Sequence, residues 1–125
     1  MADKVSWFEL PADDVARAGK FYSEVFGWNT SDMGGGSLMT QTTPSDEQGT
    51  PTEVGAINGD ISPRNEVFDK PLIVITVDDV DAKIETVKSA GGNVILPRTE
   101  VPEMNMIWAI IADTESNKVG ILQNL

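Results

Sequence analysis

The sequence predicts an α+β fold: two tandem βαβββ modules that together form a cupped mixed sheet. Three observations predict it. Asp13-Asp14-Val15 returns as Asp78-Asp79-Val80, an offset of 65 residues. Val54-Gly55-Ala56-Ile57-Asn58 returns in kind as Val119-Gly120-Ile121-Leu122-Gln123 at the same offset, and two separate matches at one spacing mark an internal repeat. Each Asp pair also sits between a β-branched and aromatic run and a segment of helical periodicity. The 125 residues fit one domain, divided into a module at 3–60, a module at 71–125 and a linker at 59–70 that contains Pro63 and Arg64.

The first strand of each module is Val5–Leu10 and Lys70–Ile75, the second prolonged by Thr76-Val77. The Asp pairs supply helix N-caps that satisfy amides of the first turn. In the first helix Val15, Ala18, Tyr22 and Val25 recur at three- and four-residue intervals, with Gly19 and Phe26 beside them, so one face packs on a sheet; Gly27 is the stop. In the second, Val80, Ile84 and Val87 share a face and Gly91-Gly92 ends the helix. Three strands follow each helix. In the first module they are a segment near 28–31, then 37–42 and 53–58, with Gly34-Gly35-Gly36 as a turn and the polar residues 43–52 as a long loop. In the second they are 93–96, 106–112 and 118–122, with Asp113-Thr114-Glu115-Ser116-Asn117 as the last turn.

Composition narrows the function. Twenty acidic against nine basic residues give a formal charge of −11, and Arg and Lys form no cluster, which argues against nucleic-acid binding. The absence of cysteine excludes disulfides, zinc–thiolate sites and thiol nucleophiles; the absence of histidine excludes the standard serine triad. No run of 18 apolar residues and no basic-then-apolar N-terminal segment is present, so the expectation is a cytoplasmic protein without a membrane span. The Gly34–Gly36 run is followed by neither Lys-Ser/Thr nor a helix and is not a phosphate loop.

Asp14-Val15-Ala16-Arg17-Ala18-Gly19-Lys20-Phe21-Tyr22 followed by Val25-Phe26-Gly27, then Val77-Asp78-Asp79-Val80 with Ala90-Gly91-Gly92, then the turn from Asp113 to Gly120, resemble the motifs of the vicinal oxygen chelate superfamily. That family includes glyoxalase I, bleomycin-resistance proteins and extradiol dioxygenases. The match covers nearly the whole chain. It is closest to the glyoxalase-related branch that begins with a Trp/His-Phe-Glu segment and often remains biochemically uncharacterised. In the last turn Thr114 and Ser116 replace the family's Pro and Gly.

Metal-bearing relatives draw one ligand from the first and one from the last strand of each module. Carried onto this chain by the motif spacing and the 65-residue offset, those positions are Trp7, Gly55, Leu72 and Gly120. None offers a side-chain lone pair, and without His or Cys the preferred ligands for Zn, Ni or Fe are missing. The resemblance therefore implies the scaffold without its metal; no cofactor is expected, and only a weak two-carboxylate Mg or Ca site elsewhere stays open.

Strand alternation assigns the cup's lining. With Trp7 facing inward, so do Glu9 and Pro11; Leu72, Val74 and Thr76 do the same in the second module. Gly55, Ile57, Gly120 and Leu122 line it from the last strands, where glycine leaves room for a ligand or for Trp7 itself, and Trp108 lies near the mouth. Glu9, beside Trp7 and facing apolar positions, is the candidate catalytic residue, a general acid or base of raised pKa; the alternative is a structural pairing with Arg64. Arg64 and Arg98 can hold an anion or serve as surface salt-bridge residues. Met39, Met104 and Met106 are candidate apolar lining or core. Three functions stay open: a metal-free homodimer binding a small, partly apolar molecule in the cup; a metal-independent lyase or isomerase using Glu9; and a structural or regulatory protein whose cup is filled by Trp7.

Overall fold

The computed structural model describes residues 2–125. They form eight strands and two α-helices: β1 (Lys4–Ala12), α1 (Val15–Phe26), β2 (Asn29–Gly34), β3 (Ser37–Gln41), β4 (Asn58–Pro63), β5 (Leu72–Thr76), α2 (Val80–Ser89), β6 (Asn93–Val101), β7 (Met106–Ala112) and β8 (Lys118–Asn124), with a short 3-10 turn at Pro102–Met104. The chain divides into two compact units, Trp7–Pro71 and Leu72–Leu125 together with the chain start up to Ser6.

In the unit at Trp7–Pro71 the strand order is β2-β3-β4-β1. β1 runs parallel to β4, and β4 and β2 run antiparallel to β3. Asp14 caps α1 by accepting from the Arg17 amide, and Gly27 closes it in the left-handed conformation, as the capping signals predict. The helix rests on its sheet through small and flat groups. At Gly19 an added Cβ would lie 2.6 Å from Leu38, and Tyr22 stacks on Trp28 at 4.8 Å, which in turn meets Phe8 at 5.4 Å. Leu38, Phe8 and fully buried Ile61 thus belong to the helix side. Gly59 is needed here for close approach, because a Cβ there would fall 2.5 Å from the Phe8 carbonyl oxygen.

In the other unit the order is β5-β8-β7-β6, with β5 parallel to β8 and the other pairings antiparallel. Asp79 caps α2. Val80 and Ile84 of the helix join Val77, Ile107, Ala109, Ile111 and Ile121 in one apolar core, with Ile75 and Val87 packed against it, as the alternation of β5 predicts. The chain start is tied to this unit by a Ser6–Thr76 hydroxyl hydrogen bond of 2.5 Å and a Lys83–Asp3 ion pair of 2.8 Å. Strands β7 and β8 start at the expected residues; β6 is longer than expected, and β8 runs two residues further.

The last turn is organised by Asp113, whose carboxylate accepts from the amides of Glu115 and Asn117 and from the Asn117 side chain. Those hydrogen bonds, led by the Asn117 amide, hold its pKa below the usual carboxylate range. Ser116, standing where the resembling family has glycine, takes φ +67°. A Cβ in that region costs energy that glycine does not incur, so Ser116→Gly is expected to stabilise the fold by about 0.5–1 kcal/mol, read as a higher denaturant midpoint at unchanged m-value.

One strand is displaced from its expected place. The third strand after α1 is not 53–58 but Asn58–Pro63, so five of the residues assigned to the linker belong to the sheet. Val54 and Gly55 lie in an exposed turn, Gly55 at φ +92°, and Ile57 precedes the strand rather than belonging to it. The physical reason is loop length. The segment between β3 and β4 is longer than the turn between β7 and β8, so the repeat drifts, and Asp60, opposite Glu9, is the counterpart of Gly120, opposite Val74. At this strand the offset is 60 residues, not 65.

Candidate acid–base site

Parallel pairing of β1 with β4 sets Trp7 beside Asn58, Glu9 beside Asp60 and Pro11 beside Ser62. Met39 of β3 pairs with Asp60. These residues alternate with the helix-facing set of Phe8, Gly59, Ile61 and Leu38, so they share the opposite face. The face is more polar than the apolar cup the sequence suggested, since β4 contributes Asn58, Asp60 and Ser62 in alternation.

Asp60 is its centre. It is 6% exposed, and both of its oxygens are engaged: Oδ2 accepts from the Trp7 indole Nε1 at 2.7 Å, and Oδ1 accepts from the Ser62 hydroxyl at 2.7 Å. Ser62 is met in turn by the Ser37 hydroxyl at 2.8 Å. Glu9 lies in hydrogen-bonding contact with the Asp60 carboxyl. Burial, then the charge of Asp60 and the hydrogen bond to it, push the Glu9 pKa up to about 8. Burial raises Asp60 as well, opposed by the donors Trp7 and Ser62 and by Glu9 itself. Two adjacent carboxyls withdrawn from water cannot both ionise cheaply, so at neutral pH they hold one proton between them. Asp60 has a donor on each oxygen, and Glu9 is the member of the pair pushed up to about 8.

Among the described residues, no basic group contributes to the shift of either carboxyl. Arg64, the alternative partner for Glu9, instead binds Asp13 at 3.0 Å and donates to the Asp69 carbonyl at 2.6 Å. Arg98 is held by Asp81 and Glu100 at the surface. Beside this face, Asn58 is fully buried and pins the loop at 43–52: its Oδ1 accepts from the Thr42 amide, and its Nδ2 donates to Ser45 Oγ and the Gly49 carbonyl. Gly49 lies close over Met39.

The remaining expected lining residues divide by unit. Val74, Trp108 and Gly120 come together on one face of the second sheet, where a Cβ at Gly120 would lie 3.1 Å from Val74 and 3.3 Å from the Trp108 ring. The space left by that glycine is therefore taken by Trp108 and Val74. Leu72 and Val74 are buried and Leu122 pairs with Trp108. Gly55 and Ile57 do not join the lining, because the strand assigned to them begins one residue beyond Ile57. Met104 is exposed and belongs to neither core nor site.

The shift of β4 also revises the ligand positions implied by the resemblance. The last-strand position of the first module is Asp60, not Gly55, so the four are Trp7, Asp60, Leu72 and Gly120, and one does carry a carboxylate. That carboxylate is already bound by the Trp7 N–H, which occupies the first-strand position of the same module. One engaged carboxylate does not make a transition-metal site, and among the described residues no group of three or more His, Cys, Asp or Glu converges. The residues present do not fit the family's metal.

The model of the Glyoxalase/Bleomycin resistance protein/Dioxygenase superfamily matches residues 4–121. The chain belongs to this superfamily. It is 35% identical over 126 residues to a glyoxylase-like domain-containing protein of Didymella fabae, covering 94% of this chain and 91% of that protein. It is 31% identical over 124 residues to the CFP32 protein of Mycobacterium tuberculosis and 32% over 120 residues to the anthracycline biosynthesis protein DnrV of Streptomyces peucetius. Those matches take in 94% and 86% of this chain but only 44% and 42% of the relatives, so the chain spans less than half of their length. Among solved structures, a Streptomyces coelicolor methylmalonyl-CoA epimerase variant in complex with 2-nitronate-propionyl-CoA aligns with a TM-score of 0.66 over 99% of this chain and 96% of that one, at 14% identity. That similarity establishes a common fold. The two-module α+β architecture expected from the sequence is thus the fold of this superfamily. Among the described residues no helix is long and apolar enough to cross a membrane.

Proposed function

We propose that this superfamily member takes a small, partly apolar molecule against the face that bears Glu9 and Asp60, and that Glu9 exchanges a proton with it without a metal. The observation that carries this reading is the carboxyl pair: two acidic groups on adjacent strands, Asp60 almost fully buried and Glu9 raised to about pH 8. Below that pH Glu9 is a neutral acid able to donate; above it, a carboxylate able to accept. A group poised this close to neutrality suits proton transfer better than structural pairing. Trp7 and Met39 supply apolar surface beside it. The activity class that fits is a lyase or isomerase acting at a carbon made acidic by a neighbouring carbonyl, with Glu9 removing and returning the proton.

Simple ligand storage is the second reading, and it is favoured by Asp60, which is engaged by Trp7 and Ser62 and leaves Glu9 as the one proton-exchanging group on this face. The two separate in heavy water. The protein is incubated with a panel of small carbonyl compounds bearing α-hydrogens, and deuterium uptake is followed by mass spectrometry. Proton transfer predicts uptake in at least one compound, rising with pH to a plateau above about 8, and a loss of roughly 100-fold or more in Glu9→Gln. Uptake equal in wild type and Glu9→Gln would remove Glu9 from the chemistry.

We further propose that the protein works as a homodimer, since β2 and β6 each end a sheet with an unpaired edge. Native mass spectrometry checks this together with any retained small molecule. A predominantly monomeric species at micromolar concentration would contradict the dimer.

A further inference from the structure

We infer that Trp7, Ser62 and, through Ser62, Ser37 are positioning residues that fix the shared proton on Glu9 by occupying both oxygens of Asp60. This rests on the acid–base reading above and adds what sets its direction. A carboxyl pair with no further contacts divides its proton according to small differences in environment. Here the environments are made unequal by construction. The Trp7 indole has only a donor to offer and places it 2.7 Å from Oδ2; Ser62 places its hydroxyl 2.7 Å from Oδ1. Since Ser62 gives its hydrogen to Asp60, the 2.8 Å contact with Ser37 must run from the Ser37 hydroxyl to the Ser62 oxygen. That bond orients Ser62 and strengthens its donation. Asp60 is thereby held as an acceptor on both oxygens, which favours its charged form over that of Glu9.

The other groups near the pair do not supply an alternative cause. β3 contains no titratable side chain, β4 contains only Asp60, and β1 from Trp7 onward contains only Glu9. The loop over this face adds the acids Asp46, Glu47 and Glu53, all exposed, and none of them is a cause of the Glu9 or Asp60 shift. The nearest arginine in sequence to Asp60, Arg64, is committed to Asp13.

The test is a carboxyl 13C NMR titration of the full chain, wild type against Ser62→Ala, Ser62→Thr, Ser37→Ala and Trp7→Phe. In the wild type the high-pH step appears chiefly at the Glu9 carboxyl carbon. Loss of the Ser62 hydroxyl raises the proton affinity of Asp60 by about tenfold, so in Ser62→Ala the high-pH step is divided between the Glu9 and Asp60 carbons. Trp7→Phe acts in the same direction, Ser37→Ala does so more weakly, and Ser62→Thr, which keeps the hydroxyl, restores the wild-type pattern. A high-pH step that stays wholly on Glu9 in Ser62→Ala overturns the inference while leaving Glu9 as the acid–base group. A wild-type Glu9 that titrates near 4.5 overturns both. Ser62 is half-buried near the end of β4, so its variants keep the test available even where Trp7→Phe perturbs the fold.

Discussion

Replacing Glu9 with glutamine is expected to stabilise the protein at pH 9 by about 2–4 kcal/mol while leaving stability at pH 4 nearly unchanged. In the unfolded chain Glu9 titrates at its ordinary 4.5; in the folded protein it titrates at about 8. Between those values the folded state holds a proton that the unfolded state has released, so stability falls as pH rises through this window and levels off above it. The contribution of the protonated carboxyl is fully present below pH 4.5 and lost once Glu9 ionises beside buried Asp60. Asp60, whose pKa is also raised by burial, adds a loss of the same sign in its own range. Glutamine keeps a donor toward Asp60 and never ionises, so the wild-type slope across the window flattens in the variant. Denaturant melts of both proteins at pH 4, 6 and 9 measure the effect. Parallel pH profiles would show that Glu9 ionises without cost and is not withdrawn from water.

Asn58→Ala is expected to destabilise the fold by about 2–4 kcal/mol and to release the loop at 43–52 from its sheet. Asn58 is fully buried and makes three hydrogen bonds, from the Thr42 amide and to Ser45 and the Gly49 carbonyl. Alanine leaves the Thr42 N–H and the Gly49 carbonyl without their partner in a place water does not easily reach, and buried polar groups left unpaired lose their full desolvation energy. The loop has its own ties, Thr52 to the Pro44 carbonyl and Asp46 to Thr50, so it is expected to detach as a unit while keeping its local turn. Equilibrium denaturation gives the first effect; faster amide exchange at Thr42 in the variant gives the second. Unchanged exchange at Thr42 would place the anchor of the loop elsewhere.

Most of the fold could be read in the sequence because its signals are local. Asp14 and Asp79 cap the helices, Gly27 ends the first, and the alternation of Leu72 to Val77 correctly sorts Ile75 and Val77 to the helix side. β4 could not be read in this way. Asn58-Gly59-Asp60-Ile61-Ser62-Pro63 is built from residues that strands disfavour, and it is a strand because it lies between β1 and β3, with Ile61 buried under α1, Gly59 against Phe8 and its polar side chains bonded on the other face. Those are tertiary causes. The apolar match of Val54–Asn58 to Val119–Gln123 instead drew the strand five residues too early.

The same displacement hid half of the site. Glu9 was legible as a carboxylate next to Trp7 in an otherwise apolar strand, but its partner was counted into a linker, and Gly55 and Ile57 stood in its place. A signal was present: Asp60 and Ser62 alternate around Ile61 in the way a two-faced strand requires. The Trp7 role was likewise only partly visible. Its place on the inward face was read from alternation, whereas its indole serves Asp60, an interaction that depends on the register of β1 with β4. In the second unit, where the repeat keeps its spacing, Val74, Trp108 and Gly120 meet as alternation implies.

The central claim is that Glu9 and Asp60 hold a single proton at neutral pH. The measurement that tests it most directly is the titration of the wild-type Glu9 carboxyl carbon by 13C NMR from pH 3 to pH 10. The expected midpoint is about 8 at Glu9, with a second, lower step at Asp60. A Glu9 midpoint near 4.5 would contradict it, and with it the acid–base reading of this face.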